Sequence, residues 1–148
     1  MPRSWSSYLF PDLNVWLALS YERHVHHSPA VQWFETLPQT ARLAFCRFTQ
    51  IGLLRLLTIA AVMGGDGALS QREAWDVYDR WIQDDRIAYL EEPSTLEQYL
   101  QTFSQKAEPA PKDWADSYLA AFAEAAGIRL VTFDRALRQR HASTILIS

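Results

Sequence analysis

Residues 113–134, DWADSYLAAFAEAAGIRLVTFD, decide the fold because they combine a helix, a buried strand and well-placed acidic residues. Apolar residues recur at helical spacing up to Gly127, a residue typical of helix ends. Ile128–Thr132 then forms a short apolar run, which predicts a buried strand. This pattern places Asp116 in the first turn of the helix and Asp134 directly after the strand.

The same alternation of strand and helix runs through the whole chain. Strands that are separated by helices pair in parallel through right-handed crossovers. We therefore predict an α/β fold, a three-layer α/β/α sandwich around a mostly parallel sheet of about five strands. Short apolar runs predict the four remaining strands: Tyr8–Phe10, Arg42–Phe45, Arg86–Leu90 and Thr144–Ile147.

Several helix starts are marked by residues that cap the amide groups of a first turn. Serine followed three residues later by glutamate has the spacing of a capping box, and proline is favoured in a first helical turn. Four starts are predicted in this way: at Ser28 before Pro29, at Ser70 with Glu73, at Ser94 with Glu97, and at Asp113.

Length and composition indicate one globular unit. The chain has 148 residues, and we predict a single domain over residues 1–148. Hydrophobic residues make up 49% of the chain, too many for a disordered protein. Cys46 is the only cysteine, which excludes an internal disulfide and zinc sites built on paired thiolates. It fits a reducing cytoplasm, where we expect the protein to be located.

Membrane and export signals are not expected. Pro11 and Asp12 follow the first apolar residues almost at once, so no secretory signal is predicted. The longest apolar stretch, Ile51–Met63, contains Arg55 and is shorter than the roughly 20 residues of a membrane span. We therefore expect no role in a membrane.

Charge is unevenly distributed along the chain. The net charge of -3 argues against nucleic-acid binding that is driven by bulk charge alone. Residues 127–148, however, hold four arginines and a single acidic residue, Asp134. This end of the chain is suited to meet a polyanion, although arginines on a solvated helix explain the same pattern.

Three aspartates are predicted to converge at one edge of the sheet. Asp12 ends the first strand, Asp134 follows the fourth, and Asp116 lies in the helix between them. Carboxylates at one edge repel one another unless they are protonated, paired with basic groups or bound to a cation. Because Lys106 and Lys112 are the only lysines, a hard divalent ion such as Mg²⁺ or Mn²⁺ is favoured. Capping of a helix start is the alternative role for each aspartate.

Three segments carry a resemblance to a known family. They are PDLNVWLAL (residues 11–19), CRFTQIGLLRLLT (46–58) and DWADSYLAAFAEAAGIRLVTFDRAL (113–137), with the HVHH segment (24–27) between the first two. In this order they resemble the motifs of PIN-domain ribonucleases, specifically the VapC-type toxins of toxin–antitoxin pairs. The resemblance spans nearly the whole chain.

The resemblance implies a metal-dependent endoribonuclease that hydrolyses RNA phosphodiester bonds with Mg²⁺, or with Mn²⁺ as a substitute. It makes Asp12, Asp116 and Asp134 both the metal ligands and the catalytic carboxylates. Gln50 occupies a catalytic position at which the family usually has glutamate. We interpret this glutamine as a variant of the lineage rather than as a sign of inactivation.

Further contacts and partners are implied by the same resemblance. Asn14, Thr132 and Arg135 are predicted to hydrogen-bond the ligand carboxylates or the RNA phosphate. The expected partners are RNA, a cognate antitoxin whose C-terminal segment covers the acidic edge, and a second copy in a homodimer. The apolar helices at Leu53–Leu57 and Trp75–Trp81 are candidate dimer surfaces.

Two other functions stay open from the residues alone. Asp12 at a strand end is also the place of the nucleophile in aspartate-dependent phosphohydrolases. Asn14 stands where those enzymes need a second aspartate, and no lysine lies near the last strands, which disfavours this alternative. The other is a protein-binding domain of the same fold whose metal binding is weakened by Gln50.

Histidines and tryptophans are given structural roles. His24, His26 and His27 have no matching carboxylate for a transition-metal site, and we place them at a loop-to-helix junction. Tryptophans at helical spacing are predicted to pack in the core or on a partner surface rather than to stack on bases: Trp33, Trp75 and Trp81.

Overall fold

A parallel sheet of five strands forms the centre of the molecule. The computed structural model describes residues 8–148. The prediction that there is no secretory signal rests partly on the residues before Tyr8, which lie outside that range. The strands are β1 (Tyr8–Pro11), β2 (Arg42–Phe45), β3 (Ile87–Tyr89), β4 (Arg129–Thr132) and β5 (Ile145–Leu146). Their order is β3-β2-β1-β4-β5, and every neighbouring pair is parallel.

Helices connect the strands. They are α1 (Leu13–Ser20), α2 (His27–Glu35), α3 (Arg47–Leu57), α4 (Ala60–Met63), α5 (Gln71–Gln83), α6 (Leu96–Phe103), α7 (Asp113–Ala126) and α8 (Arg135–Arg140), with a short 3₁₀ turn at Gly65–Gly67. Among residues 8–148, no helix is long and apolar enough to cross a membrane.

Two hydrophobic clusters lie on opposite faces of the sheet. Leu9 packs with α1, α3 and α5 in one cluster, whereas its neighbour Phe10 packs with α7 in the other. Successive side chains of a strand point to opposite faces, so the two clusters are the two interfaces of a three-layer sandwich. The predicted α/β/α fold is confirmed.

Two of the predicted helix ends are confirmed by their hydrogen bonds. The Glu73 amide donates to Ser70 Oγ at 3.1 Å, and Glu73 Oε1 accepts from the Ser70 amide at 2.9 Å, so the capping box at α5 is complete. Gly127 follows α7 with a φ of 69°, a left-handed conformation that favours glycine.

Three predicted caps are wrong. Helix α2 begins at His27, two residues before the Pro29 start that the Ser28 cap signal indicates, so Ser28 lies inside its first turn. Helix α6 follows Thr95, with no side-chain cap bond, rather than Ser94. Asp113 is the first residue inside α7, and its carboxylate pairs with the Lys106 ammonium instead of capping the helix.

Strand order reverses direction between β1 and β4, and this places a crevice at their carboxyl ends. The chain runs from β1 outward to β2 and β3, and later from β4 outward to β5. In open parallel sheets, ligands bind at such a switch point. Pro11 pairs with Val131 across it, so the residues that follow β1 and β4 emerge side by side.

Candidate active site

Asp12 lies at the carboxyl end of the central strand β1 and is the N-cap of α1. Its Oδ1 atom accepts a hydrogen bond from the Val15 amide at 3.0 Å, and its Oδ2 atom accepts one from the Thr132 hydroxyl at 2.5 Å. The residue is only 8% exposed. Among residues 8–148, no basic side chain forms an ion pair with it. Asp12 is therefore a buried carboxyl group that is held by neutral donors.

Burial raises the pKa of Asp12 from its ordinary value of 3.8 to about 6. The hydrogen bonds from Thr132 and Val15 oppose this shift, and the negative charge of Asp116 adds to it. At neutral pH Asp12 is thus ionised without the hydration or the positive partner that would stabilise its charge. A cation at this point of the sheet edge would supply that stabilisation.

Thr132, at the end of β4, joins two of the predicted site residues. It is fully buried, and its hydroxyl donates to Asp12 while accepting a hydrogen bond from the Asp134 amide at 3.0 Å. The Asp134 amide engages the hydroxyl oxygen, which directs the hydroxyl hydrogen towards Asp12. Thr132 therefore fixes the orientation of the Asp12 carboxylate.

Asp134 is the N-cap of α8 and lies on the surface. Its Oδ1 atom accepts hydrogen bonds from the Ala136 amide at 2.8 Å and the Leu137 amide at 3.4 Å. Capping is therefore a role of both Asp12 and Asp134, as the alternative interpretation of the sequence anticipated. A capping carboxylate keeps further lone pairs, so this role leaves each aspartate able to bind a ligand.

Asp116, in the first turn of α7, is paired with a residue that the sequence analysis did not identify. Its Oδ2 atom accepts a hydrogen bond from Arg140 Nη2 at 3.1 Å. Burial raises the pKa of Asp116, the charge of Arg140 opposes that rise, and the charge of Asp134 adds to it. The charge of Asp116 thus raises the pKa of Asp12, and the charge of Asp134 raises the pKa of Asp116. The only sequence signal for Arg140 was the excess of arginines in residues 127–148.

The donor chemistry of this edge fits a hard divalent cation, although the side chains do not form a closed cage. Among residues 8–148, no three His, Cys, Asp or Glu side chains are arranged to hold a metal ion. Asp116 is instead paired with Arg140, and Asp134 caps α8 at the surface. Mg²⁺ is commonly bound by only one or two carboxylates together with waters, and the buried, unpaired Asp12 suits that mode.

Gln50 forms its hydrogen bonds with residues other than the three aspartates. It is buried in the first turns of α3, where its Oε1 atom accepts a hydrogen bond from Arg47 Nη1 at 2.5 Å. It also lies beside the Tyr78 hydroxyl, and the Arg47 guanidinium is 4.9 Å from the Tyr89 ring centroid. Within residues 8–148, no hydrogen bond joins Gln50 to an aspartate. Its amide serves the packing between α3 and α5.

Asn14 and Arg135 have exposed side chains, and within residues 8–148 no ion pair or side-chain hydrogen bond joins them to the three aspartates. The Asn14 backbone amide contributes a hydrogen bond that lowers the pKa of Asp12. Arg135 lines a separate cavity of about 270 Å³ with His26 and Phe133. The predicted contacts of both side chains with ligand or phosphate stay predictions.

The histidines lie at the loop-to-helix junction that the sequence predicts. The His26 ring stacks on Phe133 with centroids 4.6 Å apart, and His24 Nδ1 accepts from the His26 amide at 3.0 Å. His27, the first residue of α2, places its Nδ1 atom 2.7 Å from the Ala18 carbonyl oxygen. These contacts hold the loop against α1 and the residue after β4.

The tryptophans divide between core and surface. Trp33 and Trp81 pack against the first cluster, and the Trp81 indole donates to Ser20 Oγ at 2.8 Å. Trp75 is 46% exposed on α5. Packing against the core is therefore confirmed for Trp33 and Trp81, whereas for Trp75 packing on a partner surface stays a prediction.

The protein is a parallel α/β sandwich in which carboxylates follow the two strands at the switch point, the place where folds of this class bind ligands. Residues 9–142 match the PIN domain family. The chain is also 46% identical over 134 residues to Ribonuclease VapC41 of Mycobacterium tuberculosis (strain ATCC 25618 / H37Rv), which covers 88% of this chain and 92% of that protein. The chain therefore belongs to the PIN-domain family.

A more distant relative and two solved structures agree with this assignment. Ribonuclease VapC38 of Mycobacterium tuberculosis is 28% identical over 131 residues, 83% of this chain and 82% of that protein. Mycobacterium tuberculosis VapC20, described as a Sarcin-Ricin loop cleaving toxin, superposes with a TM-score of 0.66 at 14% identity, covering 95% and 98% of the two chains. Rickettsia felis VapBC2, bound to a promoter DNA fragment, gives 0.65 at 14% identity, covering 94% and 96%. The structures support the fold.

Proposed function

We propose that this protein is a metal-dependent endoribonuclease that acts as the toxin of a VapBC-type toxin–antitoxin pair. The observation that carries the proposal is the buried carboxyl of Asp12, which has neutral donors and a neighbouring carboxylate but no basic partner within residues 8–148. Membership of the PIN-domain family and the relation to a protein named as a ribonuclease give this carboxylate its proposed chemistry.

Asp12, Asp116 and Asp134 are the residues that would hold the metal ion. Such an ion polarises a phosphoryl group and lowers the pKa of a bound water. Thr132 keeps the Asp12 carboxylate in a single orientation, so its oxygens need little reorganisation on binding. Asp116, which is partly exposed and raises the pKa of Asp12 through its charge, would orient a water or accept its proton. Arg140 would leave Asp116 and meet a phosphate oxygen.

An antitoxin and a second copy of the chain are the proposed protein partners. The predicted dimer surface at Leu53–Leu57 is wrong for Leu53 and Leu57, which are buried in the core. Other apolar residues of α3 and α5 are exposed and offer a surface for the second copy, and Ile51 and Trp75 line a cavity of about 310 Å³ between these helices. Sedimentation of the purified protein across a concentration series tests the dimer. A monomer at every concentration would remove this part of the proposal.

Cleavage of a mixed RNA pool tests the enzyme activity. The purified protein is incubated with Mg²⁺, with Mn²⁺ and with EDTA, beside the variants Asp12→Asn and Asp76→Asn. Asp76 is an exposed aspartate on α5, so its variant makes the same chemical change away from the sheet edge. We expect metal-dependent cutting that is lost in EDTA, falls by more than about 100-fold in Asp12→Asn and is unchanged in Asp76→Asn.

Three outcomes would contradict the proposal in different ways. Cutting that persists in EDTA would remove the metal requirement. Equal loss in both variants would point to damage of the fold rather than of the site. An inert protein that binds no Mn²⁺ in isothermal titration would favour the protein-binding alternative.

A further inference from the structure

A cavity of about 410 Å³ opens beside the acidic edge, between the end of α6, the loop that follows it and the start of α7. This size lies within the range of small-molecule binding sites, roughly 300–1,000 Å³. Its walls combine apolar and polar groups. Its lining includes Phe103, Lys106, Glu108, Asp113, Trp114 and Ser117.

Trp114 gives the cavity an unusual wall. The side chain is 61% exposed and belongs to neither hydrophobic cluster. Across residues 8–148, its indole stacks on no other aromatic ring, unlike Trp16 and Trp81. Tryptophan is highly buried on average in folded proteins. An open indole face in a cavity is the surface on which unpaired nucleobases stack, whatever their sequence.

The polar wall of the cavity is acidic rather than basic. The Asp113 carboxylate pairs with the Lys106 ammonium, so the charge of this lysine is already engaged, and Glu108 adds a second carboxylate. Carboxylates repel a phosphate group but accept hydrogen bonds from the amino groups on base edges. The chemistry of the wall therefore suits a base and disfavours a phosphate inside the cavity.

Helix α7 contributes residues both to the cavity and to the proposed catalytic edge. Asp113 and Ser117 line it, and Asp116 lies between them in the sequence. Asp113 and Asp116 are three residues apart, which puts them on one helix face with Cβ atoms about 5–6 Å apart. The charge of Asp113 contributes to the raised pKa of Asp116. A base held in the cavity would leave its sugar and phosphate at the carboxylates.

We propose that this cavity binds one unpaired nucleobase of the RNA next to the cleaved bond, stacked on Trp114 with its amino edge towards Glu108 and Asp113. The proposal rests on the ribonuclease function proposed above and adds a subsite to it. Trp114 is a binding and specificity residue here, whereas the three aspartates carry the chemistry.

The test measures the binding and the cleavage of single-stranded RNA separately. Binding of a fluorescently labelled RNA pool is measured by anisotropy in EDTA, where no metal-dependent cutting occurs. The variants are Trp114→Ala, Trp114→Phe and Val62→Ala, the last being a control on an exposed apolar side chain of α4 that lies outside the proposed subsite and the proposed dimer surface. We expect binding to weaken about tenfold in Trp114→Ala, to recover largely in Trp114→Phe, and to stay unchanged in Val62→Ala.

Cleavage adds a readout that a merely structural role would not move. With Mg²⁺, Trp114→Ala should raise KM by a similar factor with a smaller change in kcat. An RNA that the unmodified protein cuts is then resynthesised with single abasic sites. One abasic position next to the cut should weaken binding to the unmodified protein and leave binding to Trp114→Ala unchanged, because the stacking partner is already missing.

Failure of the subsite and failure of the proposed function give different results. RNA cutting by the unmodified protein with equal KM in Trp114→Ala overturns the subsite alone. No cutting under any metal condition overturns the function, and the anisotropy series still decides whether Trp114 binds RNA. A change of oligomeric state in Trp114→Ala, seen by sedimentation, would assign the cavity to a contact between copies and overturn the proposal.

Discussion

β1 and β4 end in the same local structure but in different environments. Each strand is followed by an aspartate that caps a helix, Asp12 for α1 and Asp134 for α8. Asp12 is buried at the central strand, where burial raises its pKa to about 6, whereas Asp134 lies on the surface. The same local cap is therefore a buried carboxyl group at one strand end and a solvent-exposed one at the other.

The difference comes from strand order rather than from the caps themselves. β1 is covered on both sides by β2 and β4, and β4 has only the short strand β5 beyond it. A charge that is destabilised in the folded protein is one that a ligand of opposite sign can stabilise. We therefore expect that the Asp12 charge, which favours binding of a cation, lowers the stability of the folded protein.

The largest test of this contrast is the stability of Asp12→Asn beside Asp134→Asn. Asparagine caps helices as well as aspartate does, so both variants keep their caps. Without metal at pH 7.5, removing the buried charge should stabilise the protein by roughly 1–2 kcal/mol in Asp12→Asn, because the amide nitrogen cannot accept the Thr132 hydrogen bond and this loss offsets about 1 kcal/mol of the gain. In Asp134→Asn the change should be less than about 0.5 kcal/mol. Urea unfolding in EDTA measures both differences.

The dependence on pH gives the sign of this effect. The folded protein binds a proton at Asp12 below about pH 6, whereas the unfolded chain does so below about 3.8. The folded state therefore binds more protons between these values, so the stability of the unmodified protein falls as pH rises through that range. The gain in free energy of unfolding in Asp12→Asn should be full above pH 6 and vanish below pH 4. An equal advantage at both ends of the range would contradict the assignment of the raised pKa.

Thr132 connects the two strand ends, and replacing it should make them independent. Thr132→Val keeps the shape of the side chain and removes the hydroxyl that donates to Asp12 and accepts from the Asp134 amide. We expect kcat/KM for RNA to fall about 10–100-fold, as for other residues that orient metal ligands. Thr132→Ser, which keeps the hydroxyl, should restore most of the activity. Equal losses in both variants would show that packing, and not the hydrogen bonds, is responsible.

A third strand end extends the comparison. β2 leads into α3, where Gln50 stands at the position of the family's usual glutamate but contacts Arg47 and Tyr78. In Gln50→Glu the new carboxylate should pair with Arg47, so we expect kcat/KM to change by less than about tenfold, or 1.4 kcal/mol. Cleavage rates on one RNA measure this. A 100-fold gain, or cutting by this variant alone, would mean that position 50 reaches the metal and that the natural protein is weakened.

The smallest expected effect concerns the arginine that pairs with Asp116. Both side chains are partly exposed, so the ion pair contributes only about 0.2–1 kcal/mol. Arg140→Gln should therefore tighten Mn²⁺ binding about two- to fivefold, because Asp116 loses its competing cation. Isothermal titration measures the change, with Arg138→Gln on the same helix as control. Weaker binding in Arg140→Gln, or equal effects of both variants, would contradict this role.

The sequence predicts the strand ends because their signals are local. A short apolar run followed by aspartate places Asp12 and Asp134 correctly, and parallel pairing then brings them together. The capping box at Ser70 is local in the same sense. Each of these features depends on residues within one turn or one strand, which is the range over which patterns predict well.

The parts that the sequence did not predict depend on partners that are distant or that compete. Asp113 has the pattern of a cap, but Lys106 from the preceding loop takes its carboxylate. Arg140 reaches Asp116 from a helix 24 residues away. Gln50 could be placed on α3 but its partner Tyr78, on another helix, could not be named. Such pairs are decided by packing, on which a single sequence carries no signal.

The hydrogen bond between Thr132 and Asp12 joins residues 120 positions apart, so the ribosome makes the two residues at different times. The ribosome adds about 5–20 residues per second, so Asp12 precedes Thr132 by on the order of ten seconds during synthesis. Until β4 has been made, the central strand has no neighbour on one side, and the carboxylates that follow α6 do not yet exist. The candidate site is therefore completed only after residue 132 has been synthesised, and a nascent chain shorter than this has Asp12 without the side chain that orients it.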